Sequence, residues 1–76
     1  MPNRTTVEVT GHAIRRIRKL SGLELRTVAQ QAGISANYLS RIETGSRSRL
    51  SPARYAALRS AIGATDDQIT PTSERA

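Results

Sequence analysis

Four side chains that carry hydrogen-bonding groups, Asn37, Ser40, Arg41 and Thr44, recur at offsets of three and four residues. At about 100° per residue a helix would set all four on one arc, opposite Leu39 and Ile42. Solvated helix faces are commonly rich in Glu and Lys. This one offers an amide, two hydroxyls and a guanidinium, groups that match base-pair edges. Asparagine meets the donor and acceptor of adenine, arginine the two acceptors of guanine, and a flanking Ala36 the methyl of thymine. The expected chemistry is recognition, with Asn37, Ser40 and Arg41 reading bases and Ala36 adding an apolar contact. The bland alternative is an exposed helix that happens to carry small polar residues. The segments before it weigh against that reading, because they have what is needed to hold such a helix.

The stretch from Leu25 to Gly45 reads as two short helices joined by a tight turn. Leu25, Val28, Ala29 and Ala32 fall within roughly a quarter-turn of one another on a 3.6-residue wheel, which specifies one apolar face. Gly33 supplies the left-handed turn that closes the first helix, and Ile34 plugs the corner. Ser35 restarts the chain as a helix cap, and Leu39 and Ile42 give the second helix its own buried stripe.

The stretch resembles the helix-turn-helix of the lambda-repressor and Cro-like (Xre-type) DNA-binding family. The small Ala29, the turn Gly33, the apolar Val28, Ala32, Ile34, Leu39 and Ile42, and the ending Ile42-Glu43-Thr44-Gly45 carry the match, which extends over roughly Gly11 to Ile69. The resemblance implies an all-α, five-helix lambda-repressor-like domain with the helix-turn-helix at helices 2 and 3. In such proteins the second helix of the motif lies in the major groove while the first crosses the backbone. It also implies a partly buried salt bridge between the first and third helices, here Arg18 with Glu43. Both residues fall at the margin of an apolar stripe on their own wheels. One departure stands out: where the family often has Ser or Thr followed by Gln, this chain has Glu24 and Leu25. The backbone contact at that helix end then passes to Arg26 or Thr27.

Charge points to the same class of partner. Across 76 residues, 12 Lys and Arg face 6 Asp and Glu, a net charge of +6. Between Gly11 and Gly63 ten basic residues face only Glu24 and Glu43, and eleven of the twelve bases are arginine, suited to bidentate phosphate contacts. A membrane surface fits less well, because no broad face of large apolar side chains accompanies the charge. The chain has no cysteine and one histidine, which leaves no disulfide framework, no metal site and no expected cofactor. No apolar run approaches the ~20 residues of a membrane span and no signal-peptide pattern opens the chain. A cytoplasmic protein associated with the nucleoid of a bacterial host is expected, with no small-molecule ligand. His12 in the first helix invites a catalytic reading. Nucleophilic catalysis needs a base and an orienting acid around an activated group, and no such pattern surrounds it, so no enzyme is expected.

Residues 1–9 read as an N-terminal arm in which Arg4 is more readily a solvated residue than a DNA contact. Val7-Glu8-Val9 alternates like a very short strand, but without a second copy the chain offers it nothing to pair with. Val9 instead suits a hydrophobic staple against Ile14, with Thr10 as the cap between them. The first helix runs from about Gly11 to Ser21 with Ile14, Ile17 and Leu20 on its buried side. Arg15 and Lys19 stand one turn apart outside, like charges that repel unless an anion lies between them. The loop Ser46-Arg47-Ser48-Arg49 directly follows the recognition helix, so Arg47 and Arg49 join Arg26, Thr27 and Thr44 as phosphate contacts, which fix register rather than read sequence. Tyr38 borders both faces of its helix and has two readings, packing inward or reaching a phosphate.

Ser51 and Pro52 begin the fourth helix as cap and first residue. Tyr55, Leu58 and Ile62 form its buried side, Tyr55 with its hydroxyl at the rim, and Gly63 ends it. Thr65 to Gln68 has capping-box spacing for a short fifth helix. Residues 10–69 are thus read as the domain and 70–76 as a disordered tail, with no second domain for sensing or oligomerisation. The overall expectation is a sequence-specific regulator of transcription that binds double-stranded DNA, similar to a small phage-type Cro or repressor. A weak homodimer on an inverted repeat is one arrangement it allows. Two other classes stay open: an antitoxin-like adaptor whose main partner is a protein, and a non-specific architectural DNA binder.

Overall fold

The computed structural model describes residues 6–71. Five helices follow one another: α1 Gly11–Leu20, α2 Leu25–Ala32, α3 Ala36–Thr44, α4 Pro52–Ile62 and α5 Asp66–Ile69. Two short strands, β1 Val7–Glu8 and β2 Arg49–Leu50, join them. Helix α2 packs on α3 and α4, while α1 packs on α3 and α5, so each helix has its apolar face covered by at least one other. The core they enclose holds Ile14, Val28, Ala29, Ala32, Leu39, Ile42, Leu58, Ile62 and Ile69, together with Val9, Leu50 and the ring of Tyr55. With neither Phe nor Trp in the chain, these aliphatic side chains fill it by close approach of short helices.

The α2–α3 turn follows from its residues. Gly33 takes the left-handed conformation (φ 74°). This lets the Gly33 and Ile34 amides bond back to the Gln30 and Ala29 carbonyls at 3.2 and 3.0 Å, the paired bonds that satisfy a helix end. Ser35 then accepts the Tyr38 amide on its side-chain oxygen at 3.0 Å and starts α3. Helix α4 begins in the same way, Ser51 Oγ accepting from the Arg54 amide at 3.3 Å ahead of Pro52. In α5, Gln68 Oε1 accepts the Thr65 amide at 2.9 Å, the reciprocal half of a capping box.

The β1 segment departs from expectation. Val7 and Glu8 pair antiparallel with Leu50 and Arg49 of the same chain, and the Val9 amide donates to the Ser48 carbonyl at 2.8 Å. Residues 6–9 are therefore part of the fold. Leu50 is buried against the core, and its burial fixes which face of the ladder turns inward. Thr10 caps α1 through its backbone only: its carbonyl accepts from Ala13 and Ile14, and its hydroxyl makes no cap bond. Thr70, expected to open the tail, closes α5 instead, its amide and hydroxyl both donating to the Asp66 carbonyl. Arm residues 1–5, Arg4 among them, and tail residues 72–76 lie outside the described residues.

Leu20 is a second departure. It is 76% exposed, and Ile17 is only half-buried. Steps of three residues fall about 60° short of a full turn, so a stripe that starts at Ile14 has left the core side by Leu20. The buried direction runs instead through Ile14 and Arg18. Gly11 shows how tightly α1 meets α3. A Cβ built there would stand 1.9 Å from the Ile42 carbonyl oxygen, so only glycine permits this approach.

Candidate nucleic-acid interface

Helix α3 is held from behind by one buried ion pair. Arg18 Nε donates to Glu43 Oε2 at 2.7 Å and Arg18 Nη2 to Glu43 Oε1 at 3.0 Å, a two-pronged contact. Arg18 Nη1 also donates to the Leu23 carbonyl at 3.0 Å. Both residues are buried, so the pair couples α1, the α1–α2 connection and α3 in one geometry. The hydrogen bond that Arg18 donates to Glu43, outweighing burial, holds the Arg18 guanidinium above its ordinary value. The Arg18–Glu43 bridge implied by the resemblance is therefore present, and it leaves both charges satisfied inside the fold.

The other side of α3 faces outward. Asn37, Arg41 and Thr44 are exposed and Ser40 is half-buried, while Leu39 and Ile42 are fully covered. Among the described residues no ion pair or side-chain hydrogen bond engages the Arg41 guanidinium, nor the Asn37 amide. The Thr44 hydroxyl donates to the Arg41 carbonyl at 3.2 Å, which anchors it at the end of the helix. Ala36 is half-buried against the core, at the edge of the arc. Ser40 and Thr44 border a shallow groove between α3 and α1 that His12, Arg15 and Leu25 complete over the buried pair. Arg15 thus stands on the same side as the polar arc.

Arg26 and Thr27 lie exposed in the first turn of α2, where Glu24 gives no side-chain cap. Tyr38 takes the inward one of its two readings: the ring packs against the core, and its hydroxyl accepts from Arg54 Nη1 at 3.4 Å. Arg47 and Arg54 each lie 5.1 Å from the centre of that ring. Arg49 is placed differently from the loop position expected for it. In β2 its Nη1 donates to the Thr6 hydroxyl at 3.3 Å, and its Nη2 stands 3.8 Å from Glu8, so a phosphate would compete with these partners. Arg54 is not among the residues that the sequence singles out. The available signal was its place in the first turn of a helix, where the dipole favours anions over cations.

Away from this surface, the buried Tyr55 hydroxyl donates to Asp66, which also pairs with Arg59 at 2.9 Å. Burial, then that hydrogen bond, pushes Tyr55 up to about 12, and the same bond holds Asp66 below its ordinary value. This fastens α5 to α4. Among the described residues no group of His, Cys, Asp or Glu could hold a metal ion, and no helix is long and apolar enough to cross a membrane.

The sequence pattern of the family described as "Helix-turn-helix domain" matches residues 10–71. The chain belongs to this family. The helix-turn-helix fold also relates it to two solved structures. One is the clp gene regulator ClgR from C. glutamicum, with 34% identity and a TM-score of 0.65, covering 72% of this chain and 70% of that one. The other is the restriction-modification controller protein C.AhdI from Aeromonas hydrophila, with 26% identity and a TM-score of 0.68, covering 76% and 86%. No curated protein matches the chain significantly. As a helix-turn-helix protein of the lambda-repressor and Cro-like kind, it is a DNA-binding regulator.

Proposed function

We propose that the protein binds a defined operator in double-stranded DNA, with α3 lying in the major groove, and controls transcription from a nearby promoter by occluding it. The observation that carries this is the two-sidedness of α3. Its inner side is locked by Leu39, Ile42 and the Arg18–Glu43 pair, while its outer side presents Asn37, Ser40, Arg41 and Thr44 at helical spacing. In this reading Asn37, Ser40 and Arg41 meet base edges and Ala36 a thymine methyl. Arg26, Thr27, Tyr38, Thr44 and Arg47 hold phosphates, and Arg49 joins them where it exchanges Thr6 and Glu8 for the backbone.

The protein works in the cytoplasm on nucleoid DNA, and a weak dimer would prefer an inverted repeat with half-sites roughly 34 Å apart. Selection of bound duplexes from randomised DNA tests the reading. One enriched motif is expected, its symmetry reporting the number of subunits. Arg41→Ala should cost ~1–3 kcal/mol and blur one base position of that motif. Binding that enriches no sequence would instead support an architectural role.

A further inference from the structure

Two cations outside the base-facing arc share one aromatic ring. Arg47 follows α3, and Arg54 lies in the first turn of α4, yet the guanidinium carbon of each is 5.1 Å from the Tyr38 ring centroid. That is within the ~6 Å over which a cation is attracted to an aromatic face. Arg54 Nη1 also donates to the Tyr38 hydroxyl, and the Arg47 amide donates to the Arg41 carbonyl at 3.1 Å. Both arginines are therefore tied to α3, one through its backbone and both through the ring.

Their charge is left unbalanced. The ion pairs among the described residues engage Arg18, Arg49 and Arg59, and no acidic residue stands between Glu43 and Asp66 in the sequence. Arg54 also sits third in α4, where the helix dipole opposes a cation. Two like charges are thus gathered beside a positive helix end with no carboxylate to offset them. A guanidinium held near a ring face still has N–H groups to donate, all of them in Arg47 and those other than the Nη1 bond to Tyr38 in Arg54, and such groups fit phosphate oxygens.

We propose that Arg47, Tyr38 and Arg54 form one clamp for a single backbone phosphate of the DNA that α3 contacts. Tyr38 orients the two guanidiniums, and Arg54 ties the register of α4 to that of α3. The proposal rests on the DNA-binding reading given above and adds to it a residue from the fourth helix.

The test uses the full chain, the duplex enriched by selection and a scrambled duplex, with affinity measured over a series of salt concentrations. Arg54→Ala should weaken both duplexes by the same factor, roughly tenfold, as for the loss of a hydrogen bond to a charged group. Arg54→Gln, which keeps the stem, should do the same. Arg54 is exposed, so the unfolding midpoint reports whether either variant still folds. In the variant lacking both Arg47 and Arg54 side chains, the slope of log affinity against log salt should fall by about 0.9, one phosphate's worth.

Wild-type affinity in Arg54→Ala and Arg54→Gln would overturn the clamp. So would a slope change of about 1.8 in the double variant, which means two separate phosphates. Equal wild-type binding to both duplexes, with the Arg54 loss intact, would sink base reading and leave the clamp standing. No binding by the wild type to either duplex would overturn both.

Discussion

Arginines on the two flanks of α3 are handled in opposite ways. On the α1 side, Arg18 is buried and its carboxylate partner is built into the fold, Glu43 meeting it at two points. On the α4 side, Arg47 and Arg54 rest on Tyr38 and meet no carboxylate among the described residues. The same side chain holds the helix in place on one flank and waits for an anion on the other. A cation balanced internally contributes to folding; a cation left unbalanced beside a polar arc contributes to binding.

The comparison breaks most sharply at the buried pair. Arg18→Ala strands the Glu43 carboxylate and should cost ~3–5 kcal/mol of stability, read as a lower denaturant midpoint. Replacing Arg18 by Met and Glu43 by Leu together should recover most of that loss, because no charge is left buried. If the double variant is as unstable as Arg18→Ala, the pair holds the helices by more than charge compensation.

A neutral change at the same seam sharpens the point. Gly11→Ala would drive a methyl into the Ile42 carbonyl and should cost about 1–3 kcal/mol, as overpacking does. By shifting α3 against α1 it should also weaken DNA binding, whereas Arg47→Ala and Arg54→Ala, at exposed positions beside Tyr38, should weaken binding with stability nearly unchanged. A Gly11→Ala variant of wild-type stability would show that α1 and α3 can separate freely.

The smallest effect is expected from pH. Asp66 is held below its ordinary carboxylate value by Tyr55 and Arg59. As pH falls through that lowered value, the folded chain must take up a proton that the unfolded chain already carries. The stability it contributes is therefore full above the ordinary range and lost in acid. Tyr55, pushed up to about 12, acts in the other direction, contributing below about pH 10 and losing that contribution as pH approaches 12. Asp66→Asn should flatten the acid limb of a stability profile while leaving DNA affinity at neutral pH unchanged, since the pair lies away from α3.

Local chemistry made most of this legible in the sequence. Gly33, Ser35, Ser51 with Pro52, and the Thr65–Gln68 box mark helix ends by bonds a few residues long, and the two faces of α3 follow from spacing alone. What escaped depends on long-range geometry. The β1–β2 ladder joins residues more than forty apart through two short pairs, with one buried leucine as its only apolar signal in β2. Gly11 reads as an ordinary helix start until α3 is seen crossing it. Arg54 belongs to a different helix from Tyr38, so no periodicity links them, and Leu20 misled because offsets of three drift around the helix.

The central claim is that the outward arc of α3 reads base sequence while the inward charges only hold it. The most direct measurement is the ratio of affinities for the enriched duplex and for duplexes altered one base pair at a time, in wild type and Arg41→Ala, at low and high salt. Higher salt should weaken every complex yet largely preserve the wild-type ratios. Arg41→Ala should erase the preference at one position, worth ~1–3 kcal/mol, and leave the others standing. An equal loss on every duplex would mean that Arg41 grips the backbone, and the arc would lose its claim as a reading surface.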